Sequence, residues 1–204
     1  MLLSVGKLPL SNESQYLCEV KADGYRGLCQ FGDGAVELRT KTGANCNAWF
    51  PEIRRALLDV SGGPHVIDGE IVVQRPDGSS DFNALHARAM RRKWLKGDPP
   101  VVFAAFDVLV LGGRNVMGLG LLERKELLRG LLTPSLPSVL YVDYVEGAVS
   151  ALFAWAKIKD LEGVVAKRLG STYSPGTRSP HWLKLKHATT LGFKRAPHRP
   201  TEDF

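Results

Sequence analysis

The sequence predicts an α+β fold with mostly antiparallel sheets flanked by helices. Strand-like and helix-like segments are mixed along the chain without a regular βαβ rhythm, which argues against a parallel doubly wound sheet. Hydrophobic residues make up 44% of the 204 positions, enough for a substantial core. We therefore expect one large domain without internal repeats.

The predicted strands are short apolar runs that end at Gly, Asp or Pro turn signals. They cover residues 16–20, 26–31, 36–40, 65–73, 101–110, 140–145, 163–167 and 182–186. Gly32-Asp33-Gly34 predicts a hairpin between the second and third of them. Asp68-Gly69-Glu70 is typical of a turn and is expected to interrupt the 65–73 run.

Four helices are expected from apolar residues at helical spacing. They cover residues 51–59, 81–93, 119–132 and 148–159, and Ser80 or Asp81 is expected to cap the second. Residues 1–15 are expected to be a lead-in, residues 16–190 the main domain, and residues 191–204 a basic, Pro-rich tail.

Charge and cysteine content limit the class of protein. The net charge of +6 and an uninterrupted basic stretch, eight Lys or Arg and no acid in residues 163–201, predict a polyanion-binding face. Three cysteines without Cys-x-x-Cys spacing indicate reduced core residues. The most apolar run, residues 101–111, is too short to span a bilayer and contains Asp107. We expect a cytoplasmic, nucleoid-associated protein without membrane contact.

Residues 19–26 read Glu-Val-Lys-Ala-Asp-Gly-Tyr-Arg and follow directly on an apolar strand. A lysine at the end of a buried strand is held at a fixed point and partly desolvated, which suits a nucleophilic amine. Alone, Lys-x-Asp-Gly is more often a surface lysine beside a hairpin turn. The stretches downstream decide between the two interpretations.

Four further stretches carry polar or aromatic residues at strand positions. They are Asp-Gly-Glu at 68–70, Phe-Asp at 106–107, Glu-Gly-Val-Val at 162–165 and Trp-Leu-Lys-Leu-Lys at 182–186. Each has a structural interpretation as a turn, a core ring, a strand end or a solvated strand face. Together they offer a nucleophilic amine, carboxylates for a divalent metal, cations for phosphates and a ring for a base.

These five motifs, in this order, resemble the covalent nucleotidyltransferases, and most closely the adenylation domain of ATP-dependent DNA ligases of the bacterial end-joining type. The resemblance covers residues 16–186. It implies an ATP-grasp-like DNA ligase nucleotidyltransferase fold. It also implies sealing of nicked or broken double-stranded DNA in repair, through a lysyl-AMP intermediate.

The resemblance assigns the nucleotide contacts to the first three motifs. Lys21 would attack the α-phosphorus of ATP and release pyrophosphate. Glu19 would recognise the adenine amino group, and Phe106 would stack on the base. Arg26 and Glu70 would hold the ribose.

The phosphate and metal contacts follow from the remaining motifs. Glu162 and Glu70 would bind Mg²⁺, with Mn²⁺ as the alternative ion, and Lys184 and Lys186 would neutralise the α-phosphate. Lys41 departs from the family pattern, because residues 40–43 read Thr-Lys-Thr-Gly where Ser-Arg-Asn-Gly is common. A lysine there keeps the charge but loses bidentate contact.

Only 18 residues follow Lys186, too few for the OB-fold domain that usually follows in this family. We therefore expect slow self-adenylation by the lone chain, closure of pre-adenylated nicks that is less affected, and a partner protein that supplies the OB-fold or end-joining functions. Two alternatives remain open at this point. One is an RNA ligase or mRNA-capping-type nucleotidyltransferase, and the other is a non-catalytic DNA-binding remnant of a ligase.

Overall fold

The computed structural model describes residues 1–8 and 12–187, and two β-sheets carry most of its elements. The α+β prediction is confirmed. The strands are β1 Leu2–Val5, β2 Tyr16–Val20, β3 Tyr25–Gly32, β4 Ala35–Thr40, β5 His65–Val73, β6 Val101–Leu111, β7 Arg114–Asn115, β8 Val139–Tyr141, β9 Val145–Glu146, β10 Gly163–Arg168 and β11 Arg178–Lys186. The helices are α1 Pro51–Leu57, α2 Phe82–Arg91, α3 Leu121–Leu131 and α4 Val149–Ile158, with a 3₁₀ turn at Glu13–Gln15.

The five-stranded sheet has the order β1-β11-β10-β2-β9, and the six-stranded sheet has the order β4-β3-β5-β6-β7. Most pairings are antiparallel, as expected, but β1 runs parallel to β11 and β8 runs parallel to β6. The β3–β4 hairpin forms at the predicted turn. These two sheets supply the two walls of the cleft described below.

Each sheet buries one face against helices. Helices α1, α2 and α3 pack on the six-stranded sheet, where Phe103 and Ala105 lie in the core. Helix α4 packs on the five-stranded sheet through Val149 and Ala156. A smaller apolar cluster lies between the sheets and includes Trp182. Because side chains alternate along a strand, the second face of each sheet is left for the cleft.

The connection from β2 to β3 is not a hairpin, because the two strands belong to different sheets. Residues 21–24 cross between them. Gly24 is required at this crossing, since a Cβ atom there would lie 2.1 Å from the carbonyl oxygen of Ile71. The interpretation of Lys21 as a surface lysine beside a hairpin turn is therefore wrong.

Three sequence expectations need correction. Strand β5 runs unbroken through residues 68–70, where Asp68 is buried and hydrogen-bonded instead of forming a turn. The predicted 140–145 strand is two strands, since the chain leaves β6 after Tyr141 and joins β2 at Val145. The expected lead-in contains β1, whose partner β11 lies far along the sequence.

Helix α2 begins as predicted, with the Asp81 carboxylate accepting a hydrogen bond from Ala84 N at 3.0 Å. The three cysteines are free and buried, and burial raises the pKa of the Cys18 thiol to about 12. In residues 1–8 and 12–187, no helix is long and apolar enough to cross a membrane.

Candidate functional site

A cleft with an empty volume of about 530 Å³, partly open to solvent, lies between the two sheets. Residues of both sheets line it, and the stretch 19–22 contributes four consecutive residues. The lining residues are Leu3, Glu19, Val20, Lys21, Ala22, Arg26, Glu70, Ala104, Phe106, Val142, Val165, Lys167 and Trp182. Five of the nine residues singled out in the sequence therefore share this cleft.

Strand alternation explains which side chains reach the cleft. On β10, Val164 and Ala166 pack toward α4, whereas Val165 and Lys167 line the cleft. On β6, Phe103 and Ala105 enter the helix-covered core, whereas Phe106 reaches the cleft.

The inner end of the cleft holds one carboxylate between two lysines, which we call the inner triad: Glu19, Lys125 and Lys167. Lys125 Nζ donates to Glu19 Oε1 at 2.8 Å and to the carbonyl oxygen of Val142 at 2.6 Å. Lys167 Nζ lies 2.6 Å from Glu19 Oε2. All three side chains are at most 4% exposed, so their charges compensate each other away from water.

Lys167 keeps hydrogen-bonding capacity in spite of this ion pair. Its Nζ lies 2.6 Å from Glu19 Oε2, and an ammonium group has three N–H donors, so this ion pair leaves N–H groups that Glu19 does not use. The rings of Phe106 and Trp182 lie 4.4 and 4.3 Å from Nζ. Burial lowers the pKa of Lys167, while Glu19 opposes that shift. A ligand in the cleft therefore meets a buried N–H donor.

The outer end repeats the pattern in a more open setting, as the outer triad: Glu162, Lys21 and Lys186. Glu162 Oε2 accepts a hydrogen bond from Lys21 Nζ at 2.5 Å, and Oε1 pairs with Lys186 Nζ. The side chains are 20%, 17% and 43% exposed, in that order. Burial alone would raise the pKa of Glu162, but hydrogen bonds from Lys186 and Lys21 bring it below its ordinary value.

Lys184 lies on the same strand as Lys186, two residues away, and is paired in register with Val165. Burial and then the charges of Lys186, Arg178 and Lys21 lower the pKa of Lys184. Lys184 and Lys186 are expected to share one face of this strand, because side chains alternate along it.

Glu70 lines the cleft near Lys21 and Arg26. Burial raises its pKa to about 7, although the nearby charges of Lys21 and Arg26 favour the ionised form. Burial and the two neighbouring cations therefore act on this carboxyl group in opposite directions.

Arg26 lies beside Glu70 and is fixed by a partner that sequence reasoning missed. Its Nε and Nη2 donate to the two carboxylate oxygens of Asp68, at 3.0 and 2.5 Å. Asp68 also accepts a hydrogen bond from the Tyr173 hydroxyl at 2.7 Å. The guanidinium lies 5.5 Å from the centre of the Phe106 ring, so it borders the space next to that ring.

Lys41 does not line the cleft, and it does not belong to the outer triad. Its side chain is exposed, and its backbone N–H donates to the carbonyl oxygen of Arg26 at 3.0 Å. Thr40 ends β4 at the edge of the six-stranded sheet, which places Lys41 at the rim. Arg39 pairs with Glu37 and is largely exposed, so it does not take over the role.

The positions of Lys167 and Lys125 agree with the periodicity of their strand and helix, although neither was predicted as a site residue. Alternation from Val165 puts Lys167 on the cleft face of β10, and Lys125 lies between Leu121 and Leu128 on the apolar face of α3. The prediction of a polyanion-binding face over residues 163–201 is wrong for Lys167, because this side chain is buried. Residues 188–201 of that run lie outside the described residues.

With this geometry in place, comparison with known proteins settles the family. A family model for the ATP dependent DNA ligase domain matches residues 5–186. This chain belongs to the ATP-dependent DNA ligase domain family. The match includes all five motifs and every residue of the two triads.

Relatives of known name agree with this assignment. The multifunctional non-homologous end joining DNA repair protein LigD of Mycobacterium tuberculosis is 35% identical over 190 residues, covering 93% of this chain and 24% of that protein. The SPbeta prophage-derived DNA ligase-like protein LigB of Bacillus subtilis is 35% identical over 185 residues, covering 91% of this chain and 66% of that protein. The chain thus spans about a quarter of LigD.

Solved structures agree as well. A mycobacterial DNA ligase D in complex with ATP and MES is 34% identical, with a TM-score of 0.80, over 92% of this chain and 59% of that one. The ligase domain of Mycobacterium tuberculosis LigD has a TM-score of 0.77 at 34% identity, over 92% of this chain and 60% of that one. The fold prediction is confirmed at the level of the ligase nucleotidyltransferase domain.

Proposed function

We propose that this chain is the catalytic core of an ATP-dependent DNA ligase, with Lys21 as the covalent nucleophile. The observation that carries the proposal is the outer triad, in which Lys21 lies at the end of a cleft, paired with Glu162 and next to Lys186. A primary amine, a carboxylate and a further ammonium at one point match the needs of nucleotidyl transfer.

The first step forms a bond between Lys21 Nζ and the α-phosphorus of ATP and breaks the bond to pyrophosphate. The attacking nitrogen must lose protons, and the departing pyrophosphate gains charge as it leaves. Lys186, which pairs with Glu162, and Lys184, two residues away on the same strand, would offset negative charge on the α-phosphate oxygens. In the proposed second and third steps, AMP passes to a DNA 5′-phosphate and a 3′-hydroxyl displaces it.

The hydrogen-bonding groups of adenine match those at the inner end of the cleft. Its Watson–Crick edge presents an amino donor beside a ring-nitrogen acceptor, and the inner triad presents the Glu19 carboxylate beside the Lys167 ammonium. Phe106 offers an aromatic face, and Arg26 and Glu70 border the space next to it, where the ribose would lie. Guanine would turn its carbonyl oxygen toward a carboxylate, so we propose ATP as the substrate in preference to GTP.

The carboxylates at the outer end are suitable ligands for a divalent metal ion. No group of three or more His, Cys, Asp or Glu side chains comes together within the described residues. Mg²⁺ is often bound through one or two carboxylates with substrate phosphates completing its shell, which Glu162 and Glu70 allow. Such an ion, Mg²⁺ or Mn²⁺, would neutralise phosphate charge. Glu162 would then exchange its bond to Lys21 for the ion and leave the amine without its carboxylate partner.

Nicked or broken double-stranded DNA is the proposed substrate of the later steps. Support comes from the family and from the end-joining relatives, of which this chain matches only part. We propose that a partner protein or domain supplies the OB-fold function, and that the nucleoid is the site of action.

The first test is labelling with ATP that carries radioactive α-phosphate, in the presence of Mg²⁺. Wild-type protein should retain label after denaturation, and Lys21→Ala should retain none, because the covalent acceptor is missing. Lys157→Ala, an exposed lysine on α4, is the matched control and should label like wild type.

Three results would change the conclusion. Label from GTP in preference to ATP would favour a capping-type enzyme, and sealing of RNA in preference to DNA would favour an RNA ligase. Absence of label, together with failure to close a pre-adenylated nick, would leave only the DNA-binding remnant.

A further inference from the structure

A basic surface lies on the side of the six-stranded sheet opposite the cleft. It is built by the last turn of α1 and by the end of α2 with the segment that follows it. The apolar residues Ile53 and Leu85 of these helices enter the helix-covered core. We call it the rear surface. Its exposed cations are Arg54, Arg55, Arg92, Lys93 and Lys96.

Two acidic residues of the rear surface are paired with arginines that do not belong to the five exposed cations. Glu52 is paired with the buried Arg88, at 2.5 and 2.7 Å, and Asp98 is paired with Arg91 at 2.5 Å. Residues 82–97 contain no acid at all. The five exposed cations have no ion-pair partner among the described residues. Asp59, which follows α1, is also exposed, so the rear surface carries an excess of positive over negative charge.

Hydrogen bonds hold this surface in one shape. Arg88 Nε donates to the carbonyl oxygen of Trp49 at 2.7 Å, and Asp98 accepts from Leu95 N at 2.8 Å. The backbone N–H of Trp94 donates to the carbonyl oxygen of Ala48. The segment after α2 is therefore tied to the segment before α1.

Large apolar side chains lie among these cations. Trp94 is 37% exposed, Leu95 43% and Met90 69%. An aromatic ring among cations is the combination that binds unpaired nucleotides, because the cations contact phosphates and the ring stacks on a base. A continuous duplex offers phosphates to the cations but keeps its base faces stacked inside.

We propose that the rear surface binds single-stranded DNA, such as the overhang of a broken end, away from the catalytic cleft. The choice of DNA as the nucleic acid rests on the proposed function. The choice of an unpaired strand rests on Trp94 and its cationic neighbours. An overhang held on the far side of the sheet would keep a broken end near the protein without occupying the nucleotide cleft.

The test measures binding of labelled oligo(dT) and of a blunt duplex of equal length at several salt concentrations. Lys93→Ala/Lys96→Ala should weaken oligo(dT) binding and reduce the slope of log affinity against log salt by about 1.4, at ~0.7 per phosphate contact. Lys157→Ala/Lys159→Ala on α4 removes the same charge from a different face and should leave the slope close to wild type.

Two tryptophan variants, one on the rear surface and one on α4, test the contribution of the aromatic ring. Trp94→Ala should weaken oligo(dT) binding by about fivefold or more. Trp155→Ala removes a tryptophan that is 45% exposed on α4 and should have little effect. The assignment to an unpaired strand is wrong if Trp94→Ala weakens binding of the duplex and of oligo(dT) equally. It is also wrong if Trp94→Ala changes neither.

Lysyl-AMP labelling of the same variants separates this inference from the proposed function. Normal labelling with unchanged oligo(dT) binding in Lys93→Ala/Lys96→Ala would refute the rear surface and leave the ligase proposal standing. Absence of labelling in wild type, with oligo(dT) binding that depends on Lys93, Lys96 and Trp94, would refute the catalytic proposal and support the rear surface.

Discussion

The two ends of the cleft hold the same charges in opposite surroundings. In the inner triad Glu19 lies between Lys125 and Lys167, and all three are buried. In the outer triad Glu162 lies between Lys21 and Lys186, and all are partly exposed. In the proposed function, β2 and the residue after it supply both base recognition, at Glu19, and chemistry, at Lys21.

Burial decides what each triad can do. Buried charges have no water to replace a lost partner, so the inner triad keeps a fixed arrangement, as base recognition requires. Partly exposed charges lose little when they separate, so Glu162 can exchange Lys21 for a metal ion or phosphate at small cost. Three predictions test this comparison.

The largest effect is expected from Glu19→Gln. This change leaves two buried ammonium groups facing each other without a counter-charge and should lower the free energy of unfolding by about 3–5 kcal/mol. Urea unfolding measures it. Glu19→Gln/Lys167→Met removes one of the two ammonium groups and should be more stable than Glu19→Gln alone. A loss below about 1 kcal/mol would mean that the inner triad is solvated and the comparison fails.

An intermediate effect is expected from the titration of Glu70. Its pKa rises from 4.5 to about 7 on folding. Between these values the folded chain keeps a proton that the unfolded chain releases. This stabilisation is complete below pH 4.5 and is lost as pH rises through 7, by up to about 1.4 kcal/mol per pH unit.

The comparison of wild type with Glu70→Gln isolates that contribution. The unfolding free energy of wild type, relative to the variant, should fall by about 3 kcal/mol in total from pH 4.5 to pH 7. A difference that stays constant with pH would show that Glu70 is ionised throughout and that burial does not control it.

The smallest effect on stability is expected from Glu162→Gln. Its partners are partly solvated, so the loss should be about 1 kcal/mol or less in urea unfolding. Glu37→Gln, which breaks the exposed pair with Arg39, is the reference for a surface ion pair. Adenylation by Glu162→Gln should fall strongly all the same. A stability loss as large as that of Glu19→Gln would make the two triads equivalent.

Local patterns predicted much of the fold because they depend on neighbouring residues. Strand β2 has the predicted bounds, the β3–β4 hairpin forms at Gly32-Asp33-Gly34, and Asp81 caps α2. Strand β1 was not predicted, because its four residues are too few to show a clear strand pattern. They form a strand only by pairing with β11. The turn expected at residues 68–70 fails because Arg26 and Tyr173 satisfy Asp68 within the strand.

The sequence by itself determined the family and predicted the nucleophile and the phosphate-binding lysines, because each lies in a short motif whose spacing is kept by strands and turns. Only the tertiary structure decided which charges are buried together. Lys125 donates to Glu19 across 106 residues, and no local pattern encodes that approach. The placement of Lys41 at the rim and of Lys167 inside was decided in the same way, because solvent exposure depends on how the two sheets pack.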